Sequence, residues 1–560
     1  MKFNDMPYAR PDVAAACAKF AAIAADVAAA KSADDVFAAI TAYNDLSMEL
    51  MTMQSLCYIR HTINTTDEFY TAEMDYLDEQ MPLLQEQMQA FILALLASPY
   101  RADVDARYGS LILRNAEMQT KVFSPEIIGE LQEENRLVSA YQKLCASSQI
   151  DFDGKVLTVS ELAPYKQSPD RDIRHAAYIA EGNFWMSVKG ELDRLFDELV
   201  KVRTTIAKKL GYASFTEVAY LRNLRNCYDP AMVANFRAQV KSELVPVVKQ
   251  LKAKQAQRIG VEDFCFYDDL FTYREGNAKP HGTSDDILAA GRRMYREMSP
   301  ETAEFIDFLY DNELFDVLSR KGKAPGGYCT SIPLYRAPFI YSNFNGTSAD
   351  VDVLTHEAGH AFAGYRARNF ELMDQTSPSA EACEVHSMSM EFLAWPWLNL
   401  FYGEDAGRAR YAHLEDALVF IPYGTMVDDF QHQIYANPEM TAAERDALWL
   451  SLEKQYRPYI NFADIPFYSA GAGWQRQLHI YEVPFYYIDY CLAQTVAFEV
   501  WAESQHDYAS AWARYLRFVE QGGKQTFVEL CETADLATPF EDGCLKNITD
   551  TVVEWLDKNS

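Results

Sequence analysis

The sequence has little that would bind it to a membrane or to nucleic acid. Its longest apolar run, residues 91–97 of 560, is far shorter than the roughly 20 residues that a membrane-spanning helix needs. The N-terminal segment MKFNDMPYARPD has no apolar core, so we do not expect a signal peptide. Basic residues are outnumbered: 51 Lys and Arg against 81 Asp and Glu give a formal net charge of −30. Because such a chain repels nucleic acid and anionic lipid, we expect neither as a partner.

Closely spaced cysteine pairs are also missing. None of the ten cysteines belongs to a C-x-x-C pair, which argues against a zinc ribbon and a thioredoxin-like site. Free thiols without a secretion signal predict a reducing, cytoplasmic location. Internal repeats and Gly/Ser linkers are absent too. The chain is nevertheless 49% hydrophobic, with 34 Tyr and 32 Phe, which is ample for a large core.

Most of the chain shows helical periodicity. Residues 11–98 and 169–255 have apolar residues at helical spacing, and Gly211 indicates the end of a helix. Residues 149–165 instead alternate around Asp153-Gly154, which predicts a hairpin. Two β-rich runs punctuated by Gly and Pro, 328–332 and 339–344, predict a small sheet. We expect a mainly α protein, divided near residue 150 into regions 1–150 and 151–560.

The most informative stretch is His356-Glu357-Ala358-Gly359-His360, an H-E-x-x-H motif. Histidines four residues apart lie on one face of a helix, where both imidazoles can reach one metal ion. Glu357 would not ligate but could take a proton from water that the metal polarises. Gly359 costs about 1 kcal/mol of helix propensity relative to Ala, and a small residue there would be explained if something packs close to the metal. Taken alone, the motif also fits two unconnected histidines on an ordinary helix.

The residues around the motif predict two helices. Thr347 and Asp350 predict a capping box at the start of the H-E-x-x-H helix. Downstream, we expect Pro378 at the first position of a second helix.

A catalytic zinc ion needs three protein ligands and one open position, so a third ligand is expected on the second helix. Glu381, Glu384 and Glu391 recur there on one face, in an otherwise apolar segment. A buried row of carboxylates is unfavourable unless it is paired or bound to metal. His386 faces another way and is not expected to ligate.

H-E-x-x-H followed by E-V-H-S-M-S-M-E resembles the thimet oligopeptidase and oligoendopeptidase F family of zinc metallopeptidases, most of all its oligoendopeptidase F-like branch. The resemblance implies that His356, His360 and Glu384 hold one zinc ion per chain. It implies that Glu391 orients a ligand histidine, since metal-bound imidazoles generally donate their other N–H to such an acceptor.

The resemblance also bears on the fold and the substrate cleft. It implies an elongated, two-lobed helical protein with a deep central cleft and a small β-sheet beside the zinc helix. The segment containing Gly326, Gly327 and Tyr328 would line this cleft. An edge strand there can hold an extended peptide through its backbone, although an ordinary hairpin has the same pattern.

A second chemical region spans residues 471–490, GAGWQRQLHIYEVPFYYIDY. His479, Tyr486 and Tyr490 would share one face if the segment were a single helix, with Tyr487 a close competitor of Tyr486. An aromatic row of this kind is more often part of a core. The resemblance implies instead that the histidine and tyrosines stabilise the oxyanion formed during amide hydrolysis. The choice between Tyr486 and Tyr487 stays open.

These observations predict a zinc-dependent endopeptidase that hydrolyses internal peptide bonds, with its zinc site and cleft in residues 151–560. The resemblance implies that its substrates are short, unstructured peptides. Two alternatives remain: a zinc hydrolase of a non-peptide amide, and a helical peptide-binding protein without turnover. The presence of Glu357 argues against the second, because binding alone requires no general base.

Overall fold

A computed structural model describes residues 1–324 and 326–560. The N-terminal part consists of long helices, as the periodicity predicts. Asp12, Ser32 and Asp67 each cap the first turn of a helix with a side-chain oxygen, which satisfies backbone N–H groups that have no partner within the helix. The helices of this part are α1 (Val13–Ala29), α2 (Ala33–Ile63), α3 (Glu68–Ala97), α4 (Arg101–Tyr108), α5 (Ser110–Thr120) and α6 (Ile128–Ala146).

The predicted hairpin follows α6. Strands β1 (Ile150–Phe152) and β2 (Lys155–Leu157) pair antiparallel, and both turn residues, Asp153 and Gly154, have positive φ, as a tight hairpin turn requires. The proposed division near residue 150 stays a prediction. The next helices are α7 (Val159–Lys166), α8 (Arg171–Lys209), α9 (Phe215–Arg222), α10 (Pro230–Gln239), α11 (Val245–Ile259), α12 (Ser284–Met298) and α13 (Pro300–Asp311).

A three-stranded sheet precedes the H-E-x-x-H helix. The two predicted strands are present as β4 (Tyr328–Ile332) and β5 (Ala337–Phe344), which pair antiparallel. A strand that the sequence pattern did not predict, β3 (Phe315–Leu318), pairs parallel to the other side of β5. The order β3-β5-β4 leaves β4 at the edge of the described sheet.

Helices α14 (Ala349–Ala367) and α15 (Ala380–Leu393) carry the two halves of the motif, but both begin differently from the prediction. The predicted Thr347–Asp350 capping box is wrong. The Asp350 carboxylate accepts the backbone N–H groups of Asn345 and Gly346, and so closes the preceding loop. Pro378 lies two residues before the first residue of α15, so its predicted place inside the helix is wrong as well.

The close packing expected at Gly359 is present. A Cβ atom at this position would lie 2.6 Å from the carbonyl oxygen of His386 and 2.6 Å from the Cα atom of Ser387. The backbones of α14 and α15 therefore touch at the centre of the motif. Only glycine allows this approach.

The remaining helices enclose α14 and α15 in one large hydrophobic core. The mainly helical, two-lobed class with a small sheet beside the H-E-x-x-H helix is confirmed.

Among the described residues, no helix combines the length and the apolar character that crossing a bilayer requires. All ten cysteines are free thiols in the described residues, whereas a cytoplasmic location stays a prediction. The C-terminal helices are α16 (Asn399–Tyr402), α17 (Ala406–Ala436), α18 (Ala442–Tyr456), α19 (Leu478–Glu482), α20 (Ile488–Ser504), α21 (Tyr508–Val519), α22 (Phe527–Ala534) and α23 (Cys544–Asn559).

The contact at Gly359 leads to a stability prediction. We expect Gly359→Ala to destabilise the protein by about 1–3 kcal/mol, because the added methyl group must push two backbones apart. The matched control is Gly364→Ala on the same helix, where nothing in the described structure lies within 4 Å of the added atom. The control should gain up to about 1 kcal/mol from helix propensity. Denaturant unfolding measures both, and equal stability of the two variants would contradict the packing argument.

Candidate metal centre and cleft

A cavity of about 490 Å³ runs between the N-terminal helices and the H-E-x-x-H helix. Helix α2 forms one wall, through Asn44, Asp45 and Met48. The edge strand β4 and helices α14 and α15 form the opposite side. The predicted site residues that line this cavity are Gly327, Tyr328, His356, Glu357, His360, Glu384, Tyr486 and Tyr490.

The three predicted metal ligands converge. His356 Nε2 lies 3.3 Å and His360 Nε2 3.4 Å from the Oε2 atom of Glu384. One ligand atom from each residue lies within 4.8 Å of the others. Tetrahedral zinc bound at about 2.0–2.1 Å separates its ligand atoms by about 3.3–3.4 Å, so these residues fit such an ion.

The surroundings of Glu384 keep it charged although it is buried. Burial opposes ionisation, but the imidazoles of His360 and His356 hold the pKa of Glu384 well below its usual range. Hydroxyl groups add to this: Tyr486 donates to Oε1 at 2.6 Å and Ser387 donates to Oε2 at 3.0 Å. The carboxylate is thus oriented before any cation binds.

Glu391 links one ligand to a further histidine. Its Oε1 atom lies 2.7 Å from His356 Nδ1, and its Oε2 atom lies 2.7 Å from His413 Nε2. Although burial opposes ionisation, these two hydrogen bonds lower the pKa of Glu391 to about 2. The Trp395 indole, which can only donate, points its N–H at His413 Nδ1. The His413 proton therefore sits on Nε2 and faces Glu391, and the His356 proton sits on Nδ1, which leaves His356 Nε2 free to ligate.

Glu357 lies on the wall of the same cavity. It is 7% exposed, and burial raises its pKa. A Cβ atom on Gly327 would lie 3.6 Å from Glu357 Oε1, so the glycine leaves space in front of the carboxylate.

Tyr328, which lines the cavity, stacks on Tyr341, whereas Gly326 is not among the cavity-lining residues in the described structure. The carbonyl of Gly326 accepts a hydrogen bond from Asn343.

The late aromatic segment is not one helix. It breaks between α19 and α20, and Phe485 within the break has a φ of 68°. Tyr486 reaches the cavity and the ligand Glu384, whereas Tyr487 packs on Phe420 and Tyr423 and does not line the described cavity. The geometry thus favours Tyr486 over Tyr487.

His479 does not line the described cavity either, and it holds Tyr490 instead. Tyr423 donates to the Gln477 side-chain carbonyl, so the Gln477 amide N–H faces His479 Nδ1 at 2.9 Å. Burial lowers the pKa of His479 to about 4, so the ring is neutral. Its remaining proton, on Nε2, points at the Tyr490 hydroxyl oxygen 3.3 Å away.

The carboxylate row on α15 divides into separate environments. Glu384 faces the other ligands and Glu391 faces His356, but Glu381 is buried against Ser379, near Arg225 and Tyr228, and its pKa is raised by burial. His386 is 2% exposed, and burial lowers its pKa to about 3. It is not part of the described ligand cluster, as expected.

Sequence reasoning missed His413, because nothing local connects it to Glu391 22 positions earlier. It also missed the contribution of α2 to the cavity wall. Both depend on the packing of distant segments. The sequence around His413, which includes Arg410, Glu415 and Asp416, gives no local signal of a role in the site.

Comparisons with known proteins bear on the fold and the family of the chain. The chain is 44% identical to PZ peptidase A, whose structure was determined with an inhibitor, with a TM-score of 0.98 over 100% of this chain and 99% of the other. An X-ray structure assigned as an oligoendopeptidase F is 47% identical, with the same TM-score and coverage. The chromosomal oligoendopeptidase F of Lactococcus lactis subsp. cremoris is 20% identical over 395 residues, which cover 65% of this chain and 60% of that protein.

Two family models cover most of the sequence. The peptidase M3 N-terminal domain matches residues 3–123. The model of peptidase family M3 itself matches residues 164–550, which is more than half of the chain and includes the H-E-x-x-H motif and every other predicted site residue. The chain belongs to peptidase family M3.

Proposed function

We propose that this protein is a zinc-dependent endopeptidase that cleaves short, unstructured peptides. The observation that carries the proposal is the convergence of His356, His360 and Glu384 beside the carboxylate of Glu357, at the floor of a cleft bordered by an edge strand. Family membership and the likeness to peptidase structures support it. Residues 151–560 would form the catalytic region, with α2 adding one wall of the cleft.

The ligand set suits zinc. Two imidazole nitrogens and one carboxylate oxygen are typical ligands of a catalytic zinc ion, and one coordination position would stay open. When bound, zinc supplies Lewis acid chemistry, polarising the attacking water and the carbonyl group of the scissile bond. Glu391 and His413 would hold His356 in the ligating orientation from behind.

Strand β4 would bind the peptide. Its residues 328–331 line the cavity, and its outer edge is unpaired in the described sheet. An extended peptide adds to such an edge by backbone hydrogen bonds, which are independent of side-chain identity. Sequence preference would then come from other parts of the cavity wall.

Glu357 would move the proton. Its carboxylate would accept a proton from the attacking water and return it to the nitrogen of the leaving amine. Burial raises the pKa of Glu357 towards neutral pH. Such a pKa suits a group that must both accept and release a proton. Gly327 leaves the space that water and the scissile bond require.

The two tyrosines would stabilise the oxyanion. Burial raises the pKa values of Tyr486 and Tyr490 well above the usual range, so both stay protonated. In this structure the Tyr486 hydroxyl donates to Glu384, so it would have to turn from that carboxylate to donate to the oxyanion. The Tyr490 oxygen faces the His479 N–H, so its own proton is free to face the substrate. His479 would act through Tyr490, whose hydroxyl oxygen its N–H faces.

Two alternatives fit less well. A peptide-binding protein without turnover would have no use for a buried carboxylate in front of three convergent ligands. Hydrolysis of a non-peptide amide would use the same zinc and Glu357 chemistry, but it would leave the edge of β4 without a role.

The role of Glu384 can be tested by metal content. We expect Glu384→Gln to lower zinc affinity by at least about 100-fold, since changes even to outer groups around a metal cost 10–100-fold. The matched control, Glu381→Gln, makes the same change one helical turn earlier, outside the ligand cluster, and should retain zinc. Competition with a chelator measures both affinities. Full zinc retention by Glu384→Gln would exclude Glu384 as a ligand.

The role of Glu357 separates a catalyst from a binding protein. We expect Glu357→Gln to lower kcat by about 10²–10⁴-fold or more, because the amide cannot accept the proton. Zinc content and peptide affinity should be nearly unchanged, since neither depends on proton transfer. Steady-state kinetics, elemental analysis and calorimetric peptide titration measure the three quantities. Near-normal turnover would assign the base to another residue, and loss of zinc would make Glu357 a ligand.

The cleft predicts selectivity for unfolded chains. An internally quenched peptide should be cleaved readily, whereas the same sequence grafted into a surface loop of a stable small domain should resist, because a folded domain cannot reach β4. The grafted domain carrying a destabilising core substitution serves as the control and should regain cleavage. Mass spectrometry identifies the products, and efficient cleavage within the folded domain would contradict the prediction.

A further inference from the structure

The segment between α19 and α20, residues 483–487, carries Tyr486 and has an unusual backbone. Phe485 adopts a φ of 68°, in the left-handed region that residues other than glycine rarely occupy. Strained residues of this kind persist only where their surroundings hold them, and they cluster at functional sites. Tyr486 follows the strained residue directly, so whatever holds Phe485 also places Tyr486.

Side chains from two distant elements hold this segment. Asn223, at the end of α9, donates to the carbonyl oxygen of Pro484 at 3.2 Å. Gln431, on α17, accepts the backbone N–H of Phe485 at 2.8 Å. Arg225 donates through Nη2 to the carbonyl oxygen of Phe485. Both backbone polar groups of the strained residue are thus bound by side chains.

Arg225 makes a second contact, to the first turn of α20. Its Nη2 atom lies 3.0 Å from Asp489 Oδ1, and the Tyr228 hydroxyl donates to the same oxygen at 3.2 Å. Arg225 therefore bonds to the residue before Tyr486 and to the residue before Tyr490.

The side chains of Arg225 and Asp489 are completely buried. The guanidinium group also packs on the Tyr220 ring, 4.2 Å from its centroid. A buried charge is unfavourable unless it is paired. Among the described residues, Arg225 is held through Nη2 alone, because its Nε and Nη1 atoms and Asp489 Oδ2 have no hydrogen-bond partner. Leu224, just before Arg225, has a φ of 51°, so the segment that presents the arginine is itself strained. The backbone is thus strained on both sides of the Arg225–Asp489 pair, at Leu224 and at Phe485. We read this strain as a sign that the pair fixes the position of the residues around it.

We propose that Arg225 is the positioning residue for the two tyrosines of the cleft. It contacts neither the cavity nor the metal ligands in the described structure, and acts by fixing the backbone on which Tyr486 and Tyr490 stand. The proposal rests on the function proposed above. Donors to an oxyanion must lie within about 2.7–3.1 Å of it, so a small displacement of either hydroxyl group impairs catalysis.

The test is a kinetic comparison of two buried arginines. We expect Arg225→Met to lower kcat of the zinc-saturated enzyme by about 10²-fold, the loss that a displacement of about 1 Å can cause, while KM stays nearly unchanged. The matched control is Arg174→Met. Arg174 is a buried arginine paired with the buried Asp268, outside the cleft. The control should lose thermal stability while the folded, zinc-loaded enzyme keeps its kcat.

A double-mutant comparison separates positioning from general stability. If Arg225 acts through the tyrosines, adding Arg225→Met to Tyr486→Phe/Tyr490→Phe should cause little further loss of kcat. Losses that multiply would overturn the proposal. If the tyrosine variant itself retains full kcat, the proposed oxyanion role is wrong, which is a different failure from an Arg225 variant with full kcat.

A milder variant guards against unfolding. Should Arg225→Met fail to fold, Asn223→Ala removes only the hydrogen bond to Pro484 and leaves the buried pair intact. It should lower kcat without raising KM, and its effect should also vanish in the Tyr486→Phe/Tyr490→Phe background. Full activity of Asn223→Ala, or an effect that persists in that background, would overturn the proposal.

Discussion

The contact of α14 with α15 at Gly359 controls the whole site. Glu384 can reach the two histidines because the backbone of His386 and Ser387 lies directly against the centre of the motif. A larger residue at 359 would separate the helices and withdraw the carboxylate from the imidazoles. Glu391, on the same helix as Glu384, would move away from His356 as well. The absence of a side chain at Gly359 thus lets Glu384 approach the two histidines and lets Glu391 reach His356.

Buried charge is the second constraint. The helices that enclose the site are largely apolar, yet Glu384 and Glu357 are buried among them and Glu391 is half-buried. The three carboxylates differ in their surroundings. Imidazoles and hydroxyl groups keep Glu384 ionised, two imidazoles keep Glu391 ionised, and burial raises the pKa of Glu357. The differences match the proposed roles, because a ligand must stay ionised whereas a proton carrier must exchange its proton.

Local sequence was enough to predict the helices, the hairpin at Asp153-Gly154 and strands β4 and β5, because periodicity and turn residues are local signals. The grouping of His356, His360 and Glu384 was likewise accessible, from the motif and a family resemblance. The structure adds what depends on long-range packing. His413, Arg225 and the wall formed by α2 come from distant segments. The irregular backbone at Phe485 interrupts the single helix on which His479, Tyr486 and Tyr490 would have shared a face.

The unpaired edge of β4 also bears on self-association. Exposed edge strands promote aggregation, because their free N–H and C=O groups can pair with another sheet. Here the edge lies inside a cavity walled by α2, where the sheet of a second folded molecule does not fit. The wall formed by α2 therefore separates this edge from the sheet edges of other molecules, which disfavours edge-to-edge polymerisation.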